Sequence, residues 1–352
     1  MGDAVPPQLT VRPVTPEDRP VVERVTAAYP YLPITRKYGV TREQIVEYLA
    51  GRVVEAAARP ASAVLLACQG DEPRGLVGLD PLPWESTVFG KRMAGVPFLL
   101  AVGADTRVTY AVLIEATKSL ASEKGVEHIA CRFRADDVAL TNSLEAAGFF
   151  LADSTLEVGW DMERTRVEET QGEWIITDAW GRTTKFPCEG VTTRPVAGSD
   201  VPAMRELARE AFTGRTQTRY TADPTLSPGA AGELYAQWFE KSCRGEFADF
   251  VAVAVEDGEP IGFHTTKLDR PLSSVVGRKF ALSGITAIMP GKTGRALAVA
   301  LHASVLRWYQ ETGVGFARGR VLVQNTGMLR GLLLMGATVF EAYHTFHYTP
   351  TR

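Results

Sequence analysis

The residues with the clearest chemical potential form a glycine-rich turn, residues 291–296 (GKTGRA), between an apolar strand and a long amphipathic helix. Glycines let successive backbone N–H groups converge, the helix N-terminus adds a positive dipole, and Lys292 and Arg295 add charge. The pattern is not a Walker A loop and not GxGxxG with an acidic residue about 20 positions on. The turn predicts a phosphate site, with a simple tight turn as the alternative.

The composition argues for a local rather than a general attraction to phosphate. The 352 residues suffice for two domains, and 45% hydrophobic with 22% charged residues is typical of a globular enzyme. A net charge of −3 gives no reason to expect nucleic acid or an anionic membrane as a partner. No apolar run is long enough for a membrane span, and no secretory leader is recognisable, so we expect a cytoplasmic protein.

The cysteines and histidines do not have metal-ligand spacing. The four cysteines are scattered and are expected to be reduced thiols: Cys68, Cys131, Cys188 and Cys243. No histidine pair has carboxylates at the spacing of a metal site, so we expect no metal.

An internal repeat organises the chain. Residues 11–20 recur as residues 193–202, and each copy predicts a strand and a turn whose aspartate, Asp18 or Asp200, caps the next helix. Two glycines recur 188 positions later, and each of the four follows a helical pattern as a C′ residue does: Gly125, Gly148, Gly313 and Gly336. The chain is therefore predicted to be a duplicated unit of about 150 residues.

Strands and helices alternate within each copy, which predicts an α/β fold. We expect an N-terminal domain at 1–162, a connector at 163–190 with one short strand at 173–178, and a C-terminal domain at 191–352. The C-terminal copy has predicted strands at 250–256, 260–268, 280–289, 314–323 and 339–348. Its predicted helices are at 203–212, 232–244, 294–312 and 327–335.

Three motifs carry a resemblance to a known family. WESxxFG at residues 84–90, YAQWFE at 235–240 followed by RGxF at 244–247, and Asn325-Thr326 with a later Gly-Ala are similar to motifs of bacterial TDP-fucosamine acetyltransferases. The turn at 291–296 resembles the pyrophosphate loop of the wider GNAT (acyl-CoA N-acyltransferase) superfamily, with Gly291 where Gln or Arg is usual. The complete first copy is more like mycothiol synthase, another tandem GNAT enzyme.

The resemblance implies two tandem GNAT-like units, each with a mixed, mostly antiparallel sheet flanked by helices. It also implies acetyl-CoA as the cofactor, bound by the C-terminal unit. The implied cofactor-binding residues are Thr286, Ala287, Ile288, Gly291, Lys292, Thr293, Gly294, Arg295, Ala296 and Asn325. For Asn325, an ordinary strand-end or helix-cap residue is the alternative.

The N-terminal unit is predicted to be degenerate for the cofactor. Aligning the repeats places Thr106 at the position of Gly294 and Asp105 at that of Thr293. A carboxylate directed at a pyrophosphate costs energy, and threonine resists a backbone geometry that glycine permits. We expect this unit to serve as a scaffold or a substrate wall.

The implied reaction is attack of a primary amine on the thioester. A base or a water chain must first remove a proton from the ammonium, and His264 is a candidate base, with a structural histidine as the alternative. The oxyanion needs a donor, and the backbone N–H of Ile288 or Ala287 could supply it. The family's tyrosine that protonates the leaving thiolate falls at Leu332, so that role is unassigned.

A Gly/Pro-rich loop after the first helix of the C-terminal unit contains the candidate substrate residues Arg215, Arg219 and Tyr220. We expect an N-acetyltransferase acting on the amine of a small molecule, such as an amino sugar or a nucleotide amino sugar, and existing as a monomer or a homodimer. The alternatives are acylation of a secondary-metabolite amine, another acyl-CoA reaction, and a catalytically silent acyl-CoA-binding protein.

Overall fold

The computed structural model describes residues 8–34, 39–292 and 297–350. The chain divides into two compact units. The first runs up to Ser154 and includes the chain from Ala342 onward, and the second comprises Thr155–Glu341. The chain leaves the first unit within one strand, Phe150–Asp161, and returns to it within another, Thr338–Tyr348.

The first unit contains, in chain order, β1 (Leu9–Pro13), α1 (Arg19–Ala28), α2 (Arg42–Ala58), β2 (Ala63–Gln69), β3 (Glu72–Pro81), α3 (Pro83–Phe89), β4 (Met93–Val96), β5 (Leu99–Ala101), α4 (Thr106–Glu123), β6 (His128–Arg134), α5 (Val138–Ala146) and the start of β7 (Phe150–Asp161). The last strand of the chain, β16 (Thr338–Tyr348), ends in this unit. Its sheet has the order β1-β2-β3-β4-β6-β16, with β5 also paired to β3. The β4–β6 pair is parallel and its neighbours are antiparallel.

The second unit contains the end of β7 and then β8 (Arg166–Thr170), β9 (Glu173–Thr177), β10 (Thr183–Pro187), β11 (Val191–Pro195), α6 (Val201–Glu210), α7 (Pro228–Cys243), β12 (Phe250–Glu256), β13 (Glu259–Leu268), α8 (Arg270–Val276), β14 (Lys279–Ile288), α9 (Leu297–Thr312), β15 (Val314–Leu322), α10 (Thr326–Leu334) and the start of β16. A π-helical segment, Ala211–Arg215, extends α6. The main sheet has the order β7-β15-β14-β13-β12-β11, and only its β14–β15 pair is parallel.

The predicted α/β fold with two repeated, mostly antiparallel units is confirmed. The predicted strands of the C-terminal copy agree with β12 to β16 to within one residue at each end. The four repeated glycines all have positive φ, as C′ residues do: Gly125, Gly148, Gly313 and Gly336.

The connector holds three strands, although only one was predicted. β8, β9 and β10 form a separate antiparallel sheet, and only one face of it is buried, so their sequences alternate polar and apolar residues. Val167, Trp174 and Ile176 join the core around α9. Because α9 packs against both this small sheet and the main one, it is apolar on most of its surface.

The opposite face of the main sheet packs on α6 and α7. Phe239 of α7 contacts Phe263 of β13, with ring centroids 4.3 Å apart, and Ile285 and Ala287 of β14 lie in the same cluster. Along β13 and β14, successive side chains therefore alternate between the α6–α7 face and the α9 face. Among the described residues, no helix combines the length and apolar character needed to cross a membrane.

The aspartates of the repeat do not cap α1 and α6 with their side chains, which corrects the prediction. Asp200 accepts two hydrogen bonds from the guanidinium of Arg194, at 2.6 and 2.9 Å, and one from the backbone N–H of Ala197 at 2.7 Å. Asp18 makes the equivalent contacts with Arg12 and Thr15. The repeated sequence thus encodes an Arg–Asp clamp between the first strand and the turn after it.

The clamp makes stability depend on pH. The hydrogen bonds from Arg194 lower the pKa of Asp200. A carboxyl with a lowered folded-state pKa contributes stability above its unfolded pKa of about 3.9 and loses that contribution as the pH falls further. We expect Asp200→Asn to lower the free energy of unfolding by about 1–3 kcal/mol at pH 7, with a difference that shrinks below about pH 4.

Urea unfolding of the full chain across this pH range measures the difference. Asp257→Asn, at the exposed hairpin between β12 and β13, is the control and is expected to change stability by less than about 0.5 kcal/mol. A cost for Asp200→Asn that stays constant from pH 7 to pH 3 would contradict the clamp.

Candidate functional site

Strands β14 and β15 diverge along their length. They pair in parallel as far as Leu282 opposite Arg318, and no pair is formed between their described residues beyond that point. β15 continues to Leu322 bonded to β7 on its other edge, and β14 continues to Ile288 bonded to β13. The facing edges therefore form a cleft with backbone groups on its β14 side.

A β-bulge marks the start of the divergence. Thr265 of β13 lies opposite two residues of β14, Gly284 and Ile285. A Cβ on Gly284 would lie 2.3 Å from Oγ1 of Thr265, so only glycine fits, and the same Oγ1 accepts a hydrogen bond from the N–H of Ile285 at 3.0 Å. Bulges bend the strand that carries them, which separates β14 from β15.

The register identifies which backbone groups face the cleft. The N–H of Met289 donates to the carbonyl of Ile261 at 2.9 Å. Because hydrogen-bonded and non-bonded pairs alternate in an antiparallel ladder, Ala287 directs its backbone groups to β13, whereas Thr286 and Ile288 direct theirs to the cleft. Of the two backbone donors predicted for the oxyanion, the N–H of Ile288 is the one with this orientation.

Arg215 lies at this edge. It is the last residue of the π-helical segment, and its guanidinium donates to the carbonyl of Ile288 at 3.1 Å. Segments of π-helix are rare and frequently lie at functional sites. The sequence placed Arg215 in a substrate loop but could not indicate that it contacts β14.

A polar cluster lies beside the bulge. His264 is 1% exposed, and its ring is tilted against that of His302 with centroids 4.2 Å apart. Its Nδ1 is hydrogen-bonded to Oγ1 of Thr286 and its Nε2 to Oγ of Ser283 at 3.1 Å. Burial lowers the pKa of His264 well below 6.5, so the ring is neutral at pH 7.

Ser283 was not singled out in the sequence, although it stands two residues before Ile285 in the strand that leads to the turn. A hydroxyl in a mostly apolar strand was the available signal. The proposed role of His264 as a base stays a prediction.

The glycine-rich turn is described in part. Gly291 has φ +78°, a conformation that favours glycine. The side chain of Lys292 forms an ion pair with Glu256, at the end of β12. Thr293, Gly294, Arg295 and Ala296 lie outside the described residues. Lys292 is therefore held by a carboxylate that the sequence, with the two residues 36 positions apart, did not reveal.

Asn325 is the N-cap residue of α10, and Leu332 lies on this helix. The Asn325 side chain caps this helix by accepting from the N–H of Met328 at 3.2 Å, and Leu332 is 3% exposed in the core. Tyr220 is buried, with the guanidinium of Arg219 4.5 Å from its ring centroid and bonded to its hydroxyl. The side chains of Arg219 and Tyr220 therefore contact each other, and their role in substrate binding stays a prediction.

The equivalent place in the first unit is filled. By strand register, Ala101 of the first unit is equivalent to Ile288 of the second, because Gly75 pairs with Ala101 as Gly262 pairs with Ile288. The hydroxyl of Tyr110 lies near the backbone of Ala101. Tyr110 donates to Asp137 at 2.6 Å, Tyr29 donates to the same carboxylate at 2.9 Å, and Asp137 is 1% exposed. Burial raises the pKa of both phenols, so they stay protonated.

The second unit replaces this cluster with small or exposed residues. By the repeat, Tyr29 corresponds to Ala211, Tyr110 to Ala298, and Asp137 to Asn325. Two phenol rings are thereby removed from around the edge of β14. The two units share a strand arrangement, but the first satisfies its edge internally and the second leaves the edge accessible.

Several residues of the WESxxFG and YAQWFE motifs have structural roles. Ser86 of WESxxFG bonds the carbonyl of Leu82 and the N–H of Met93, and Gly90 has positive φ. The second unit repeats this turn with Ser273 and Gly277. In YAQWFE, Phe239 is core, and Tyr235 and Trp238 pack against the same cluster. The contacts of these residues are accounted for by the fold.

Comparisons with known proteins agree with the architecture. No protein-family model matches the chain. It is 23% identical over 317 residues to the spore coat polysaccharide biosynthesis protein SpsD of Bacillus subtilis, covering 90% of this chain and 98% of that protein. A GCN5-related N-acetyltransferase from Sphaerobacter thermophilus superposes with a TM-score of 0.64 at 17% identity, covering 98% of this chain and 97% of the other.

A tandem GNAT protein from the clavulanic acid biosynthesis pathway superposes with a TM-score of 0.55 at 14% identity, over 98% of this chain and 100% of the other. The fold is that of tandem GNAT proteins. At these identities, the similarity establishes the fold, and the chemistry must be argued from the residues of the cleft.

Because the cleft is filled in the first unit and accessible in the second, equivalent mutations in the two units should change the free energy of unfolding by different amounts. Asp137→Ala removes the carboxylate that caps α5 by accepting from the N–H of Leu140, and it leaves two buried phenols without their acceptor. It should therefore lower the free energy of unfolding by about 3 kcal/mol or more. Asn325→Ala, its counterpart, removes only an exposed cap and should cost about 1 kcal/mol. Thermal and urea unfolding of both variants measures the costs, and equal values would contradict the distinction.

Proposed function

We propose that the second unit is an acyl-CoA-dependent N-acyltransferase acting on a primary amine of a small molecule. The observation that carries the proposal is the accessible edge of β14 beside a bulge, in the unit whose duplicate fills the same place with Tyr29 and Tyr110. An extended ligand with amide groups, such as pantetheine, suits such an edge because it can pair with the backbone as a strand would.

The cofactor would be held at two places. Its pantetheine arm would pair with the backbone groups of Thr286 and Ile288, and its pyrophosphate would lie on the glycine-rich turn predicted at 291–296, since helix N-termini attract anions. The carbonyl of Ile288 already accepts from Arg215, so binding would release that guanidinium toward the acceptor. The N–H of Ile288 would stabilise the oxyanion.

An amino sugar is the preferred acceptor. The named role of the 23% identical relative in spore coat polysaccharide biosynthesis supports this class. Arg215 supplies a planar donor pair near the cleft, which suits a carboxylate or phosphate on the acceptor. An amine of a secondary metabolite is the alternative acceptor, because a structurally similar tandem GNAT protein comes from the clavulanic acid biosynthesis pathway.

A catalytically silent acyl-CoA-binding protein is the second candidate, and Leu332 favours it because this buried side chain cannot protonate a thiolate. Thiol release from acetyl-CoA, measured with a panel of amino sugars and their nucleotide-linked forms, separates the candidates. Amine-dependent release supports the transferase. Binding of acetyl-CoA without release with any amine supports the binder.

Calorimetric titration with acetyl-CoA tests the site. We expect one equivalent per chain, because the first unit's cleft is filled. Gly294→Asp should weaken binding about a hundredfold, roughly 3 kcal/mol, by placing a carboxylate at the predicted pyrophosphate position. Thr106→Asp, the matching change in the first unit, should leave binding unchanged. Equal loss in both variants, or two equivalents per chain, would overturn the assignment.

The ion pair between Lys292 and Glu256 predicts a gain of affinity. Glu256→Gln frees the ammonium of Lys292 for phosphate, so acetyl-CoA should bind about two- to fivefold more tightly at low salt. Glu259→Gln removes the same charge from the exposed side of the hairpin and should change little. Unchanged or weaker binding by Glu256→Gln would show that Lys292 does not contact the phosphates.

A further inference from the structure

We propose that Thr286, His264 and Ser283 form a proton relay that carries a proton from the attacking amine to the departing thiolate. The proposal rests on the proposed function. It assigns a proton donor to a site where Leu332 leaves none, and it brings in Ser283 as a second hydroxyl.

The three side chains form one hydrogen-bonded line. Thr286 Oγ1 bonds Nδ1 of His264, and Nε2 of the same ring bonds Oγ of Ser283 at 3.1 Å. Thr286 and Ser283 flank the bulge of β14 and are partly exposed, whereas His264 between them is buried. Both ends of the line therefore reach the strand along which the thioester would lie, and solvent cannot reach its centre.

The proton balance fixes the tautomer. The nitrogen of the amine forms a bond to the acyl carbon, and the C–S bond breaks. The amine gives a proton to Oγ1 of Thr286, whose own proton passes to Nδ1 of His264. Nε2–H of His264 gives its proton to Oγ of Ser283, and the hydroxyl proton of Ser283 goes to sulfur. The thiol and the amide leave neutral, and His264 begins and ends as a neutral imidazole, now with its proton on Nδ1.

Proton exchange with water through the partly exposed hydroxyls of Thr286 and Ser283 restores the starting tautomer before the next turnover. A neutral ring suits this role, since a relay must both accept and donate. Burial favours that state, because the charged form is poorly solvated there.

The first unit shows that the fold does not require these polar groups. By strand register, the counterparts of His264 and Thr286 are Val77 and Leu99, which pair with each other as the histidine and threonine do. Gly95 pairs with Ala130 in the first unit as Leu282 pairs with Arg318 in the second. The residue after each is therefore equivalent, so the counterpart of Ser283 is Val96. All three counterparts are buried and apolar. The same strands are thus built without a polar line in the unit whose cleft is filled.

The tautomer can be tested without any substrate. The full chain labelled with ¹⁵N-histidine has five histidines. The His264 resonances are assigned by the variants Ser283→Ala, which should perturb Nε2, and Thr286→Val, which should perturb Nδ1. A neutral ring protonated at Nε2 from pH 6 to pH 8 supports the relay. Protonation at Nδ1, or a charged ring, overturns it.

Steady-state kinetics with acetyl-CoA and the best acceptor amine tests the role. Ser283→Ala and Thr286→Val should each lower kcat about a hundredfold, with both KM values within about twofold of wild type. The double variant should be no slower than either single one, because one break already interrupts the line. Thr266→Val, whose hydroxyl bonds Leu282 and Tyr309, is the matched control and should keep its kcat.

The outcomes separate the two proposals. Full activity of Ser283→Ala or Thr286→Val in a protein whose wild type is active overturns the relay and leaves the proposed function intact. Multiplicative losses in the double variant also overturn it. A wild-type protein that binds no acetyl-CoA, or transfers its acyl group to no amine, overturns the proposed function and the relay with it.

Discussion

The structure depends on which groups form hydrogen bonds with the backbone of β14 beyond its bulge. Backbone N–H and C=O groups that lose a neighbouring strand need other partners, because leaving them unpaired away from water costs free energy. In the first unit, the hydroxyl of Tyr110 lies near the backbone of Ala101 at the equivalent edge. The second provides the guanidinium of Arg215 for one carbonyl, that of Ile288. The two units therefore treat the same strand edge differently. The first unit places side chains of its own there, and the second leaves room for a ligand.

Much of the architecture could be predicted from the sequence because it depends on local patterns. The strands β12 to β16 follow apolar runs bounded by turns, and Gly125, Gly148, Gly313 and Gly336 mark helix ends through the positive φ that glycine tolerates. The repeat itself was visible in the similarity of residues 11–20 to residues 193–202. Its meaning was not, because Asp18 and Asp200 could cap a helix or accept from an arginine, and only the fold shows that they do the latter.

The interior of the site could not be predicted for a related reason. The partners of His264 are 19 and 22 positions away, and that of Lys292 is 36 positions away. No periodicity indicates such contacts, since they depend on strand register and on the bulge at Gly284. The replacement of Tyr29 and Tyr110 by Ala211 and Ala298 was present in the sequence, but it becomes informative only once the four residues are known to surround equivalent edges. The motifs most similar to a known enzyme family proved to be turn and core positions.

Hydrogen–deuterium exchange with and without acetyl-CoA tests the central claim most directly, because it reports on individual backbone amides of both units at once. We predict that saturating acetyl-CoA slows exchange in the segment containing Thr286 and Ile288 and leaves the segment containing Ala101 unchanged. Protection at Ala101, or none at Thr286 and Ile288 although acetyl-CoA is bound, would contradict the account.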